Sequence, residues 1–131
     1  MTHSEIIELM RKKNKFGAVR TNGKHSKLEA SVGQILKWRE MAKEIKNIRS
    51  QHTVKLTPAE IHYAVDYSFE EVKTGQLIFC EAKGVVTERY AIIEKLWRFY
   101  GPAPLQVWKG DYKRPHLYET IIPKGYSHEN S

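Results

Sequence analysis

The sequence predicts an α/β fold in which a mixed central β-sheet is flanked by helices. Apolar residues recur at helical spacing in two segments, one beginning near Ser26 and the other near Thr87. Between them, side chains alternate in the manner of strands, and a further apolar stretch, Leu105 to Trp108, follows the second helix. This α-β-β-β-α-β order is typical of a sheet layered against helices.

The N-terminal part of the chain predicts an arm followed by a long helix. The first twelve residues suit a short helix capped by Thr2, and the Asn22-Gly23 dipeptide marks a loop or small hairpin. The clearest helix of the sequence then begins with Ser26 as its N-cap and extends to about Lys46. Its expected inward face consists of Leu28, Val32, Ile35, Leu36, Met41, Ala42 and Ile45.

Three strands are predicted next. Gln51 to Leu56 suits a short strand, and Thr57 to Glu60 has the composition of a turn. Ile61 to Phe69 alternates, and Leu77 to Lys83 forms its hairpin partner across the polar connection Glu70 to Gln76. The face of the middle strand opposite Asp66 is expected to carry Tyr63, Val65, Tyr67 and Phe69.

The second helix opens at Thr87 and stops at Gly101-Pro102. Its expected inward residues are Tyr90, Ile92, Ile93, Leu96, Trp97 and Phe99, and Tyr100 is also expected in the core. Residues 110–131 form a turn-rich tail with no predicted strand or helix. The whole chain of 131 residues has the length of one domain.

Charge is the clearest guide to a partner. Twenty-two Lys and Arg residues against fifteen Asp and Glu leave a net charge of +7, which favours a polyanion, nucleic acid before membrane. No acidic residue lies between Glu8 and Glu29, so residues 1–25 or so form a basic arm. We expect this arm to bind DNA phosphates, although a solvated, frayed arm is the alternative. Its cations are Arg11, Lys12, Lys13, Lys15, Arg20, Lys24 and Lys27.

Several classes of site and location are disfavoured. The longest apolar run is four residues, Leu77 to Cys80, far too short to span a bilayer. Cys80 is the only cysteine, which excludes an intrachain disulfide and any multi-cysteine zinc site. The six histidines show no metal-ligand spacing. Met1 is followed by Thr-His-Ser-Glu, which is no secretory leader, so we expect a cytoplasmic protein without membrane contact.

The predicted hairpin gathers charged residues on one face. If it is symmetric about Lys73 and Thr74, Asp66 lies opposite Glu81, with Lys83 on the same face. Two carboxylates about 5 Å apart repel each other unless a cation lies between them, and an oxygen-rich site suits Mg²⁺. A neighbouring lysine can act on a water molecule and on developing phosphate charge. A solvent-facing ladder, with Lys83 paired to both carboxylates, is the alternative.

These residues carry a resemblance. Asp66 followed by Glu81-Ala82-Lys83-Gly84 resembles the signature of the PD-(D/E)XK nucleases, and the chain is most similar to small phage-borne proteins related to Holliday junction resolvases. The resemblance extends from about Phe16 to Lys109 and departs from the signature at Val65, which replaces a proline, and at Ile93, which replaces a lysine. The matching stretches are Ser26-Lys27-Leu28-Glu29, Tyr63 to Tyr67, Cys80 to Gly84, and Tyr90 with Lys95-Leu96-Trp97.

The resemblance implies a restriction-endonuclease-like core and a metal-dependent endodeoxyribonuclease acting on branched DNA in phage recombination or genome processing, in the host cytoplasm. It implies that Asp66, Glu81 and the carbonyl of Ala82 bind Mg²⁺ or Mn²⁺ and that Lys83 acts on the attacking water. Lys95 would contact DNA, the products would carry 5′-phosphates, and the protein would be a homodimer.

Three questions stay open at this level. Glu29 would complete the metal site, but Ser26 and Glu29 also form a capping box. Gln51 either approaches the site from the edge strand or is a plain surface residue. The alternatives for function are a nuclease of the same fold that cuts or nicks linear duplex DNA, and a non-catalytic nucleic-acid-binding protein.

Overall fold

The computed structural model describes residues 24–127 and has the predicted α/β architecture: a five-stranded mixed sheet flanked by two helices. The predicted N-terminal helix and five cations of the arm (Arg11, Lys12, Lys13, Lys15 and Arg20) lie outside the described residues. The helices are α1 (Lys24–Met41) and α2 (Glu88–Tyr100). The strands are β1 (Ile45–Lys55), β2 (His62–Glu71), β3 (Leu77–Ala82), β4 (Leu105–Lys109) and β5 (His116–Ile121).

The strands are arranged in sequence order, β1-β2-β3-β4-β5. Every neighbouring pair is antiparallel except β3 and β4, which are parallel and are joined by α2. Thr87 caps α2 as predicted, since its side chain accepts a hydrogen bond from the backbone N–H of Tyr90. The predicted order of elements is confirmed, and β5 is an addition from the tail that the sequence left without structure.

The sheet separates two hydrophobic clusters. On one face, α1 packs against β2 and β3 through Leu28, Val32 and Leu36. On the other face, α2 packs through Tyr90, Ile93 and Trp97 against strand residues that include Phe79 and Leu105. Both helices therefore cover the strands that carry Asp66, Glu81 and Lys83. Neither helix in residues 24–127 combines the length and hydrophobicity needed to cross a bilayer.

The predicted end of α1 at Lys46 is wrong. The helix ends at Met41, and Lys43 adopts a left-handed conformation (φ 63°) that turns the chain into β1. Ile45 is buried as expected, but it belongs to a strand. Met41, expected inside, is 77% exposed because the helix has left the sheet surface at that point.

Two predictions about which way side chains face are also wrong. Tyr63 and Val65 belong to the α2-side cluster whereas Tyr67 and Phe69 pack on the α1 side, so the alternation of β2 breaks at Asp66. Phe99 and Tyr100 are exposed because they lie at the last turn of α2, beyond the face that Trp97 buries.

Candidate active site

Strands β2 and β3 stop pairing through their backbones where Asp66 and Glu81 lie. The hairpin has the predicted register, and its last backbone pair before the site is Tyr67 with Cys80. Beyond that pair, side-chain carboxylates accept the hydrogen bonds between the strands. The Asp66 N–H donates to Glu81 Oε1 (3.2 Å), and the Ala82 N–H donates to Asp66 Oδ2 (2.9 Å). The two acidic side chains are therefore held between the strands, each bonded to the other strand.

Glu81 is a buried carboxylate with a dedicated partner. Its side chain is 1% exposed, and Tyr63 Oη donates a hydrogen bond to its Oε2. A buried charge of this kind is costly unless it is hydrogen-bonded. The sequence alternative of a solvent-facing ladder is wrong at Glu81 and at Lys83, which is 8% exposed.

The environment of Asp66 disfavours its charged form. Burial raises the pKa of the Asp66 carboxyl well above its usual range, and the nearby charges of Glu81 and then Glu29 raise it further. The hydrogen bond from the Ala82 N–H acts in the opposite direction. Three acidic side chains thus share one electrostatic environment, and a cation placed among them would relieve their repulsion.

Glu29 reaches this environment from α1. The helix begins at Lys24, so Ser26 lies inside its first turn and the capping-box interpretation is wrong. Glu29 instead accepts a hydrogen bond at Oε2 from Gln51 Nε2 (3.2 Å), and its backbone carbonyl accepts one from Tyr67 Oη (3.0 Å). Burial, together with the charges of Glu29 and Asp66, raises the pKa of Tyr67 to about 12. Gln51, left open by the sequence, therefore lies at the site.

Lys83 enters the site from the end of β3. Its backbone N–H donates to the carbonyl of Trp108 (2.8 Å), which anchors the strand end against β4. Its Nζ lies 4.9 Å from the centre of the Tyr90 ring, a cation–π contact from beneath. Within residues 24–127, Lys83 forms no salt bridge with a carboxylate. Among these residues, no carboxylate lies within salt-bridge distance of its ammonium group.

Sequence reasoning missed the roles of Tyr63 and Tyr90. Both were expected simply as inward-facing residues, and both are buried. Their spacing carried no sign that one would bond Glu81 and the other would lie under Lys83, because each contact joins separate elements. For Tyr63 the only signal was chemical, since a tyrosine buried in a core usually finds a partner for its hydroxyl.

The donor set suits a hard divalent ion. In the described part of the chain, no three His, Cys, Asp or Glu side chains converge tightly enough to form a metal cage. Mg²⁺ does not need one, because it binds through one or two carboxylates and retains several waters. Asp66, Glu81 and the Ala82 carbonyl supply oxygen atoms only, which are the ligands that this ion prefers.

The predicted DNA-binding residues are distributed unevenly. Lys27 is exposed near the start of α1, with its Nζ 5.4 Å from the centre of the Tyr112 ring. Lys24 is the first residue of α1. Lys95 is exposed on α2 and, among the residues that the structure describes, takes part in no salt bridge. The structure therefore places Lys27 beside the aromatic ring of Tyr112.

Comparison of this chain with protein-family models, with curated proteins and with solved structures finds no match.

Proposed function

We propose that the protein is a metal-dependent endodeoxyribonuclease that acts on branched DNA such as Holliday junctions. The observation that carries the proposal is the pair of carboxylates, Asp66 and Glu81, held between two strands that stop pairing there, with Lys83 two residues after Glu81. Two acidic groups and a lysine that forms no salt bridge within residues 24–127 are parts that phosphodiester hydrolysis can use. The surplus of +7 supplies the attraction to a polyanion.

The metal would be Mg²⁺ or Mn²⁺, held by Asp66, Glu81 and the carbonyl of Ala82, with Glu29 completing the set. When bound, such an ion would neutralise the carboxylates and stabilise the negative charge that builds on the scissile phosphate. Glu81 is positioned for this by the hydrogen bond from Tyr63 Oη and by the Asp66 N–H. Gln51 orients the Glu29 carboxylate in the same way.

Lys83 would act on the attacking water and on the transition state. Its ammonium group is a hydrogen-bond donor only, so it favours the negative charge that develops on oxygen. The Tyr90 ring beneath it restricts its position without neutralising it. Burial strengthens its charge interactions, since water is excluded from the side chain.

Branched DNA as the substrate and a homodimer as the assembly are proposed from the resemblance to resolvases. Cutting a junction requires breaks in two strands, which two copies of one site can make. The sequence similarity also implies in-line attack with 5′-phosphate and 3′-hydroxyl products.

The experiment is incubation of the protein with labelled four-way junction, linear duplex and single-stranded DNA, in Mg²⁺ and in EDTA. We expect cleavage of the junction in Mg²⁺ and none in EDTA. Asp66→Asn is the best control because it removes charge and keeps an acceptor for the Ala82 N–H. Glu81→Gln is less clean, since Glu81 accepts two hydrogen bonds and a glutamine amide would lose one of them.

Each of the other outcomes would lead to a different functional assignment. Cleavage of linear duplex in preference to the junction would replace the branched-DNA assignment by a nuclease of restriction or repair type. Binding with no cleavage in Mg²⁺ or Mn²⁺ would overturn the enzyme assignment in favour of a non-catalytic nucleic-acid-binding protein. Wild-type rates in Asp66→Asn would remove the proposed site.

A further inference from the structure

The loop between β4 and β5, residues 110–115, has a defined turn in which its one acidic group, Asp111, is hydrogen-bonded to the loop's own backbone. Asp111 Oδ1 accepts hydrogen bonds from the backbone N–H groups of Lys113 (2.9 Å) and Arg114 (3.0 Å). Gly110 has a φ of 101°, and a Cβ at that position would overlap the Arg114 carbonyl. The turn therefore bonds the Asp111 carboxylate to the loop's own amides, and Tyr112, Lys113 and Arg114 are exposed beside it.

This loop is docked on the first turns of α1. Ser31 Oγ donates a hydrogen bond to the carbonyl of Tyr112 (2.7 Å), and Lys27 Nζ lies 5.4 Å from the centre of the Tyr112 ring. Lys27 and Ser31 are four residues apart, so they share one face of the helix. Lys113 Nζ lies 5.7 Å from the same ring. One aromatic ring thus gathers two ammonium groups from separate elements.

The cations of this region lack acidic partners. In residues 24–127, none of Lys27, Lys109, Lys113 and Arg114 takes part in a salt bridge. Lys109 Nζ lies 3.8 Å from the centre of the Tyr118 ring on β5, so it too is held by an aromatic ring. Four positive charges beside two tyrosines are complementary to a chain of phosphates.

The loop adjoins the carboxylate site through β4. Trp108, whose carbonyl accepts the Lys83 N–H, is two residues before Gly110. A DNA strand whose scissile phosphate lay at Asp66 and Glu81 would therefore pass close to the loop.

We propose that Lys27, Tyr112, Lys113 and Arg114 form a phosphate clamp, which grips the DNA backbone beside the cleavage site. The proposal rests on the proposed function for the identity of the polyanion. Tyr112 acts as the support that holds Lys27 and Lys113 in place. Because the clamp contacts phosphates, it binds every sequence alike and responds strongly to salt.

The test compares Lys113→Ala/Arg114→Ala with a matched double variant, Lys46→Ala/Lys73→Ala. The matched lysines are exposed: Lys46 is in β1 opposite Glu70, and Lys73 is in the β2–β3 turn, at the opposite end of β3 from Lys83. Affinity for labelled four-way junction is measured in EDTA over a range of NaCl concentrations, with melting temperatures as a check on folding. We expect the clamp variant to bind roughly tenfold more weakly, with its slope of log affinity against log salt reduced by about 1 to 2. The matched variant should keep the steeper slope.

Tyr112 supplies an independent readout. Tyr112→Ala should weaken binding and flatten the salt slope although it removes no charge, because Lys27 and Lys113 lose their support. Tyr112→Phe keeps the ring and should restore both values. A wild-type slope in the Lys113→Ala/Arg114→Ala protein, or an equal reduction in the matched variant, overturns the clamp.

Failure of the clamp and failure of the nuclease assignment give different results. A protein that cleaves DNA but has the same salt slope in both double variants is a nuclease without the clamp. A protein that never cleaves but loses affinity only in the clamp variant has the clamp without the nuclease activity. Absence of DNA binding by the wild-type protein overturns both.

Discussion

Individual residues at the β2–β3 junction bring buried carboxylates together at a cost in electrostatic free energy. Asp66 and Glu81 occupy the positions where the backbone ladder would otherwise continue, and each carboxylate replaces a backbone acceptor. Burial and mutual repulsion raise the pKa of Asp66, which means that the folded chain without a metal is strained electrostatically at neutral pH. Such local conflict is typical of functional sites.

This conflict predicts a pH-dependent gain of stability in Asp66→Asn. The folded-state pKa of Asp66 lies above its unfolded value of about 3.9, so the carboxyl stabilises the fold at low pH and this contribution is lost as pH rises through the raised value. Asparagine keeps an acceptor for the Ala82 N–H and never ionises. In EDTA, the variant should melt at a higher temperature than the wild type at pH 8, with a smaller difference at pH 5.

Calorimetry at the two pH values measures this difference, and the exposed Glu60→Gln variant controls for net charge. A difference that is constant with pH, or larger at pH 5, would contradict the strained-carboxylate account.

Lys83 is expected to affect rate far more than affinity. Its charge is held at the site by Tyr90 and would act on the transition state, so Lys83→Ala should reduce the cleavage rate by about 10²-fold or more. Ground-state binding should change little, since one cation among many is lost. Single-turnover rates and equilibrium affinities measured in parallel separate the two effects, with Lys73→Ala as the surface control. Equal losses in both quantities would make Lys83 an ordinary phosphate-binding residue.

At the scale of elements, the close approach of α1 to β2 positions Glu29. Gly33 lies against Tyr67, whose hydroxyl donates to the Glu29 carbonyl one turn earlier in the helix. A Cβ at Gly33 would overlap the Tyr67 hydroxyl and lie 2.9 Å from its Cζ. The glycine that weakens α1 as an isolated helix therefore allows the helix to lie at the distance that Tyr67 requires.

The resulting prediction is that Gly33→Ala destabilises the protein. In an exposed helix, this change adds about 1 kcal/mol of stability. Here the overlap with Tyr67 should outweigh that gain, for a net loss of about 1–2 kcal/mol in the free energy of unfolding. Urea denaturation of Gly33→Ala in the wild-type and Tyr67→Phe backgrounds tests the mechanism, because the second background removes the nearest atom. An equal cost in both backgrounds would show that the Tyr67 hydroxyl is not the obstacle.

Over the whole molecule, the cations expected to contact DNA come from two parts of the chain. The basic arm precedes α1 in the sequence, and the loop after β4 reaches α1 from the other end of the chain. Phosphate contacts of this kind carry no base information, so substrate shape, and not base sequence, should decide affinity. A four-way junction places more phosphates within reach of such a surface than a linear duplex does.

We therefore expect tighter binding to a junction than to a duplex of the same sequences. Deletion of residues 1 to 20 removes Arg11, Lys12, Lys13, Lys15 and Arg20, and it should reduce this preference and flatten the salt slope. Titrations of both DNAs with the intact and shortened chains measure the effect. Equal affinity of the intact protein for junction and duplex would remove the branched-DNA assignment and leave the nuclease assignment standing.

Local patterns in the sequence were sufficient for much of the fold. Period-2 and period-3.6 hydrophobicity marked both helices and four of the five strands, because these periods follow from backbone geometry alone. The hairpin register, and with it the meeting of Asp66 and Glu81, followed from the symmetry of a short connection. The end of α1 could not be predicted in this way. Hydrophobic spacing continues through Ile45, although the left-handed conformation of Lys43 has already ended the helix.

What the sequence could not supply are the contacts that join distant segments. Tyr63 with Glu81, Tyr90 with Lys83, and Gln51 with Glu29 each depend on which elements pack together. β5 forms a strand because it pairs with the edge of β4. The hydrophobicity of its own residues alternates too weakly to predict a strand. The carboxylates could be found from the chain alone because a single hairpin brings them together, whereas the groups that support them come from other elements and meet only when the helices close over the sheet.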